Sequence, residues 1–229
     1  MRFEHWDPLH FIILFLTAFL GLGLPYTARK FASPKIKNMI GFILGVILLL
    51  NYCIYVIYRI DSGYWQVRYD LPMEFCNWSA IVTSLALFTR NRTLAELSYF
   101  WVIAGSMQGV ITPDLSVTFP HIYFFIFFIA HSGLVISALY VVFGLELTPR
   151  KGAVLRSVLY TQIYVVTALV IDFALDANYG YMREKSAAGS LMDYLGPWPI
   201  YILWMQALGM ILFTLLYLPF WKKNLREES

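Results

Sequence analysis

The stretch MIGFILGVILLLNYCIYVIY, residues 39–58, contains no charged side chain. About 20 mostly apolar residues are enough for an α-helix to cross the hydrocarbon core of a bilayer. We therefore expect a transmembrane helix here, with bounds near Ile36 and Ile60. This span indicates the fold class, because the remaining chain repeats the same kind of pattern.

The composition of all 229 residues agrees with a membrane protein. Apolar residues make up 59% of the chain and charged residues 14%, compared with roughly a quarter charged in soluble domains. We expect one all-α integral membrane domain over residues 1–229, a multi-pass helix bundle in the cell membrane. The net charge of +3 belongs to loops and chain ends, so it predicts orientation and gives no support for a nucleic-acid partner.

Seven spans are predicted along the chain, and the third is the weakest. Glu74, Asn77 and Ser79 interrupt the third span, so a re-entrant segment stays open there. The predicted spans are Pro8 to Tyr26, Ile36 to Ile60, Leu71 to Phe88, Leu94 to Ile111, His121 to Phe143, Val154 to Ala174 and Trp198 to Phe220.

Basic residues concentrate in every second connection and at the C-terminal end. The positive-inside rule assigns such connections to the cytoplasm, which predicts an outside N-terminus and a cytoplasmic C-terminus. The basic residues of these three connections are Arg29, Lys30, Lys35 and Lys37, then Arg90 and Arg92, then Arg150 and Lys151.

Polar residues of interest fall at the opposite, outer side. Ionisable groups inside a span cost roughly 2.5 to 3.5 kcal/mol each on insertion scales, so they face the bundle interior or a wet cavity by default. Glu74, His131 and Asp172 are the candidates of this kind. We expect a substrate-binding cavity that also uses residues near the outer ends of the spans, namely Gln108, Asp114, His121 and Asn178.

Cys76 and His131 form a candidate nucleophilic pair. An imidazole that takes the thiol proton makes a cysteine reactive at neutral pH. A helix beginning at Pro72 would add the positive end of its dipole near the thiol. Packing interpretations remain open, since a cysteine in an apolar helix is usually a small hydrophobe and His131 could bond a neighbouring helix.

The cysteine count gives little support for metal or cofactor chemistry. Cys53 and Cys76 are the two cysteines, and no CxxC or Cys/His metal spacing is present. We expect no metal and no cofactor, while a disulfide between the two stays possible. For Cys53 we favour the packing interpretation.

The motifs resemble those of the YwaF family of bacterial integral membrane proteins over nearly the whole chain. That family is grouped with the eukaryotic transmembrane protein 164 family, described as lipid acyltransferases with a cysteine nucleophile and a histidine partner. The residues that carry the resemblance are Leu71-Pro72, Glu74, Cys76, Tyr99-Phe100-Trp101, Gly105, Gln108, Thr112-Pro113-Asp114-Leu115, His131, Asn178-Tyr179, Leu195-Gly196-Pro197-Trp198-Pro199 and Tyr201.

The resemblance implies a function for the candidate pair. Cys76 takes the position of the family's LPxxxC cysteine and His131 that of its helix histidine. The expected activity is lipid acyl transfer or hydrolysis near the outer leaflet, with membrane phospholipids as substrate. Arg183-Glu184-Lys185-Ser186 departs from the expected Lys-Pro pair. The alternative is a transporter or lipid-binding protein that uses the same polar cavity without covalent chemistry.

Overall fold

The computed structural model describes residues 3–186 and 191–226, and within these ranges the ordered elements are all helical. The all-α prediction is confirmed, with seven main helices in the described part of the chain. They are α1 (Pro8–Phe31), α2 (Pro34–Asp61), α3 (Phe75–Thr89), α4 (Arg92–Trp101), α5 (Ile122–Leu139), α6 (Ala153–Leu175) and α7 (Ile200–Arg226).

Two of these helices continue through wider turns. α4 runs into a π-helical turn, Val102–Ser106, and then a short helix, Gln108–Ile111, whereas α5 ends in a π-helical turn, Tyr140–Gly144. Counted with these extensions, six helices are long and apolar enough to cross a membrane. The protein is therefore a multi-pass membrane protein.

The third helix is shorter than the other six when α4 and α5 are counted with their extensions. α3 has 15 residues, which is about 22 Å of helix compared with a hydrocarbon core of about 30 Å. The predicted start at Pro72 is wrong, because Glu74 has extended backbone angles and is the N-cap of a helix that begins at Phe75. Cys76 therefore lies in the first turn, closer to the helix start than predicted.

Helices α4 and α5 form the inside of the bundle. About half of each span is buried, 56% and 50%, compared with 17–22% for the other four long spans. The α4 side chains Phe100, Trp101 and Val102 are essentially inaccessible. Whatever projects from α4 near its π-helical turn is therefore held inside protein and does not face lipid.

The connections after α2, α4 and α6 meet at one end of the bundle. Tyr179 in the α6–α7 connection donates its hydroxyl to the Val67 carbonyl in the α2–α3 connection, at 2.6 Å. His5, before α1, bonds the Pro113 carbonyl after α4, at 2.7 Å. The grouping of polar residues at one end agrees with the sequence, whereas the side of the membrane that this end faces stays a prediction.

Loop labelling tests that orientation. In a protein with Cys53 and Cys76 replaced by alanine, we expect Ser116→Cys, at the exposed end just described, to react with an impermeant maleimide in intact cells. Lys35→Cys, exposed at the start of α2, should react only after permeabilisation. The reverse labelling pattern would overturn the predicted topology.

Candidate functional site

Cys76 is the second residue of α3, where the helix backbone has free donors. The amides of Phe75 and Cys76 make no hydrogen bond with the described residues, as expected for the first turn of a helix. The N-cap side chain of Glu74 does not bond them. The start of α3 therefore presents two unbonded N–H groups next to the thiol, at the positive end of the helix dipole.

A serine hydroxyl from α4 lies beside the thiol. Ser106, the last residue of the π-helical turn, and Glu74 are both close neighbours of the Cys76 thiol. The Ser106 Oγ is buried and has no hydrogen-bond partner among the described residues. Gly105 permits this approach, because a Cβ there would stand 2.7 Å from the Phe75 ring. α4 and the start of α3 are thus in close contact around the thiol.

Two carboxylates lie next to this position, Glu74 half-buried and Asp172 fully buried. Glu74 Oε2 accepts the Gly180 amide at 3.0 Å, and Asp172 Oδ1 accepts the Tyr179 amide at 2.8 Å. Since these amides belong to consecutive residues, the two carboxylates are held side by side. The second oxygen of Asp172, Oδ2, is buried and has no partner among the described residues.

Tyr179 fixes the connection that carries both amides. Its hydroxyl donates to the Val67 carbonyl and accepts the Leu71 amide, at 2.6 and 3.0 Å. Burial raises the pKa of Tyr179, so the phenol stays protonated at neutral pH. The loop is therefore tied to the segment just before α3.

Tyr164 on α6 completes the polar cluster, and the sequence analysis missed it. Its ring packs edge-on against Phe75 and Trp78, with ring centroids 5.0 and 5.4 Å away. Its hydroxyl is buried, has no hydrogen-bond partner in the described part of the chain, and lies against Gly180, where a Cβ would fall on the oxygen. Tyrosines of membrane helices concentrate at the interface, so a tyrosine in the middle of α6 was the signal that could have indicated it.

His131 on α5 has one ring nitrogen engaged. Its Nδ1–H donates to the Phe127 carbonyl at 2.9 Å, because a carbonyl can only accept, and the ring stacks on Phe127 at 4.2 Å. In this neutral tautomer Nε2 is an acceptor. A Cβ at Gly109 would collide with the ring, so only glycine leaves room for it there.

No hydrogen bond joins Cys76 and His131 among the described residues. The Cys76 thiol lies next to Ser106 in the π-helical turn that follows α4. The His131 imidazole contacts Gly109, three residues further along the same continuous segment. The two side chains therefore adjoin one segment of α4. Their action as a catalytic pair stays a prediction.

Two of the other predicted site residues, His121 and Asn178, use their side chains in hydrogen bonds to the backbone of their own segment. His121 is the N-cap of α5, where its Nδ1 accepts the Tyr123 amide at 3.1 Å. Asn178 organises its own loop, since its Oδ1 accepts the amides of Arg183 and Glu184 and its Nδ2 donates to the Glu184 carbonyl. Binding of substrate by these two side chains stays a prediction.

The remaining two candidates, Gln108 and Asp114, are exposed. Asp114 is an electrostatic neighbour of Tyr181, which also neighbours Glu74 and Cys76. Burial raises the pKa of Tyr181, so it too remains a neutral phenol. The backbone carbonyl of Gln108 accepts the Thr112 amide, and the Gln108 side chain makes no hydrogen bond among the described residues.

Two arginines lie above the carboxylates. Arg68 and Arg183 both pair with Asp176, and Arg183 also donates to the backbone carbonyls of Asp172 and Ala177, both at 3.2 Å. Both guanidinium groups are partly exposed.

The two cysteines differ in their surroundings. Both are free thiols, so no disulfide joins them; Cys53 is exposed on α2, whereas Cys76 is half-buried. Among the described residues, no group of three or more His, Cys, Asp or Glu side chains could hold a metal ion. An open cleft of ≈ 480 Å³ is lined by residues 117–121 and does not involve Cys76 or His131, so the predicted cavity at the thiol stays a prediction.

The architecture and the cluster define an integral membrane protein with a thiol at a helix start among buried polar groups. Residues 2–217 match the family described as the TMEM164 family, and the chain belongs to that family. This confirms the predicted relationship to the transmembrane protein 164 family, whereas the bacterial YwaF name stays a prediction.

A bacterial relative shares most of the chain. It is an uncharacterized protein of Treponema pallidum (strain Nichols), 27% identical over 224 residues, with 95% of this chain and 90% of that protein covered. No solved structure matches.

Proposed function

We propose that this protein is a membrane-embedded lipid acyltransferase or acyl hydrolase that works through a thioester on Cys76, near the outer leaflet. The observation that carries the proposal is the place of the thiol in the first turn of α3, beside two unbonded amides and the unbonded Ser106 hydroxyl. Free amides belong to any helix start, whereas a buried hydroxyl without a partner among the described residues beside the thiol is not required by helix geometry or by packing.

The first chemical step is attack of the Cys76 thiolate on the ester carbonyl of a membrane phospholipid. The carbonyl oxygen becomes an oxyanion, and the amides of Phe75 and Cys76 are positioned to donate to charge that develops there. Collapse of this intermediate breaks the C–O bond, releases the lipid alcohol and leaves the acyl group as a thioester. A second alcohol or water then takes the acyl group and restores the thiol.

His131 is the base in this proposal. Its bond to Phe127 leaves Nε2 as the nitrogen that accepts the thiol proton. Because no hydrogen bond joins the ring to the thiol in this structure, the two groups must approach each other when the substrate binds.

Trapping of the acyl group tests the proposal. Purified protein would be placed in phosphatidylcholine/phosphatidylglycerol nanodiscs with a labelled acyl chain, quenched in acid and assayed for a hydroxylamine-sensitive label on Cys76. We expect His131→Ala to slow labelling by about 10²–10⁴-fold. The double variant Cys76→Ala/His131→Ala should turn over little more slowly than Cys76→Ala alone, because residues that act as a unit lose their effect together.

A transporter or lipid-binding protein is the second candidate. The unpaired, buried Asp172 Oδ2 and the adjacent Glu74 favour it, because intramembrane carboxylates often couple protons to transport. Absence of any label on Cys76 from the wild-type protein, together with transport that survives Cys76→Ala, would support this candidate over the enzyme.

A further inference from the structure

The hydroxyl of Tyr164 has no packing or hydrogen-bonding explanation within the described part of the protein. The side chain is 1% exposed, and its Oη makes no hydrogen bond there. Leaving a buried hydroxyl unpaired costs about 1–3 kcal/mol. A phenylalanine would make the same ring contacts with Phe75 and Trp78 without this cost, so the oxygen itself requires a reason.

The unpaired hydroxyl lies within the cluster around the thiol. It touches Gly180, the residue whose amide donates to Glu74 at 3.0 Å. Its charged or titratable neighbours are Glu74, Cys76 and Asp172. Its ring contacts Phe75, which precedes Cys76 in α3. The hydroxyl therefore belongs to the same polar cluster as the thiol.

Glu74 and Asp172 are the two carboxylates next to this hydroxyl. The two carboxylates are held on consecutive amides, and no Lys or Arg side chain among the described residues donates a hydrogen bond to either carboxylate. The Arg183 guanidinium donates to the backbone carbonyl of Asp172 at 3.2 Å and not to its carboxylate. Neighbouring carboxylates disfavour ionisation of both, so such a pair holds one proton at rest and releases it once His131 has taken up the thiol proton as a new positive charge.

We propose that Tyr164 is a catalytic residue, the general acid that protonates the departing lipid oxygen, with Glu74 and Asp172 as positioning residues that replace its proton. This inference rests on the acyl-transfer function proposed above.

The protons balance over the two half-reactions. In acylation the thiol proton passes to His131, the C–S bond forms and the C–O bond breaks. The leaving oxygen takes the Tyr164 proton, which the carboxyl pair replaces. In deacylation the acceptor alcohol or water gives its proton to Tyr164 and through it to the carboxyl pair. The departing thiolate recovers its proton from His131.

Two acyl donors with different leaving groups test this role. A phospholipid must expel an alkoxide, which needs a proton, whereas p-nitrophenyl octanoate expels a stabilised phenolate that does not. We expect Tyr164→Phe to slow acylation of Cys76 from phosphatidylcholine nanodiscs by about 10²-fold or more. Acylation by the nitrophenyl ester should change less than about threefold, a difference that a purely structural role would not produce.

Tyr160→Phe is the matched control, because Tyr160 is an exposed tyrosine one helical turn away on α6. Tyr160→Phe should leave the rate of Cys76 acylation from both donors at the wild-type level. Tyr164→Phe should keep or raise thermal stability, since it removes an unpaired buried oxygen. Should that variant fail to insert, Asp172→Asn provides the same comparison of donors, because it retains an oxygen for the Tyr179 amide.

The outcomes separate the two proposals. Equal losses on both donors, or no loss on either, would overturn the general-acid role of Tyr164 while wild-type labelling of Cys76 upholds the acyl-transfer function. Absence of wild-type labelling by both donors would overturn the acyl-transfer function and the inference that rests on it.

Discussion

Replacing Cys76 by alanine is expected to abolish acyl transfer and leave a protein that folds and inserts normally. The thiol is the only group in the proposal that forms a bond to the acyl carbon, so no residual path through a thioester remains. Its removal takes away one half-buried atom in the first turn of α3, a change of order 1 kcal/mol in the free energy of unfolding. Cys76→Ser should be similarly inactive, since a serine there keeps the shape but is a poorer nucleophile.

Cys53→Ala is the control for this prediction. Cys53 is exposed on α2, away from the polar cluster, and its loss should leave both the acyl adduct and turnover at the wild-type level. Adduct formation is measured with labelled phospholipid. The stability of each variant is measured by thermal unfolding in the same detergent. Turnover that persists in Cys76→Ala would show that the cysteine is a packing residue, and the transporter interpretation would then account better for the two carboxylates.

The membrane class and the polar end of the bundle could be predicted because they depend on long-range composition. The uncharged run of residues 39–58 lies within α2 whatever its neighbours are, since only a helix satisfies its backbone in lipid. Glu74 and Asp172 also lie at one end of the bundle, as predicted. The position of each residue within its own span, combined with the alternating direction of successive helices, is sufficient to place both at that end.

The start of α3 could not be predicted with the same certainty, because it depends on tertiary contacts. Pro72 is a favourable first residue of a helix, yet the chain turns through this segment and α3 begins at Phe75. The Glu74 carboxylate bonds the Gly180 amide in a distant loop. No local pattern in the sequence indicates that bond, and the place of Cys76 in the first turn depends on it.

Tyr164 was missed for a related reason. Its hydroxyl meets Gly180, which has a φ of +61°, so the contact exists only because the α6–α7 connection folds back over the helix end. Tyrosine is common in this chain, with 16 residues, and tyrosines of membrane proteins are generally enriched at the membrane interface. The position of one tyrosine far from the helix ends was a weak signal that composition obscured.

Glu96 was the clearest missed signal. It is an acidic residue inside the predicted fourth span, and the rule that selected Glu74 and Asp172 applies to it equally. The basic residues after α5 were interpreted as topology signals, whereas Arg150 and Arg156 both bond the Glu96 carboxylate. A charged residue within a span should therefore prompt a search for partners among nearby loop arginines.

Replacing Glu96 by alanine is expected to destabilise the bundle by about 3–5 kcal/mol, the usual result of removing one partner from a buried ion pair. The carboxylate is fully buried and accepts from Arg150 Nε at 2.8 Å and from Arg156 Nε and NH2, both at 2.9 Å. Without it, two guanidinium groups that are only partly exposed lose their counter-charge. α4 would also lose its link to the start of α6.

Glu146→Ala is the matched control for that loss. Glu146 also pairs with two basic residues, Arg29 and Lys37, but its side chain is 51% exposed and the N–O distances are 3.2 and 3.6 Å. Surface pairs contribute about 1 kcal/mol or less, so this variant should unfold close to the wild type. Equal stability of Glu96→Ala and Glu146→Ala in detergent unfolding would contradict a stabilising role for the buried cluster, because the two differ chiefly in burial.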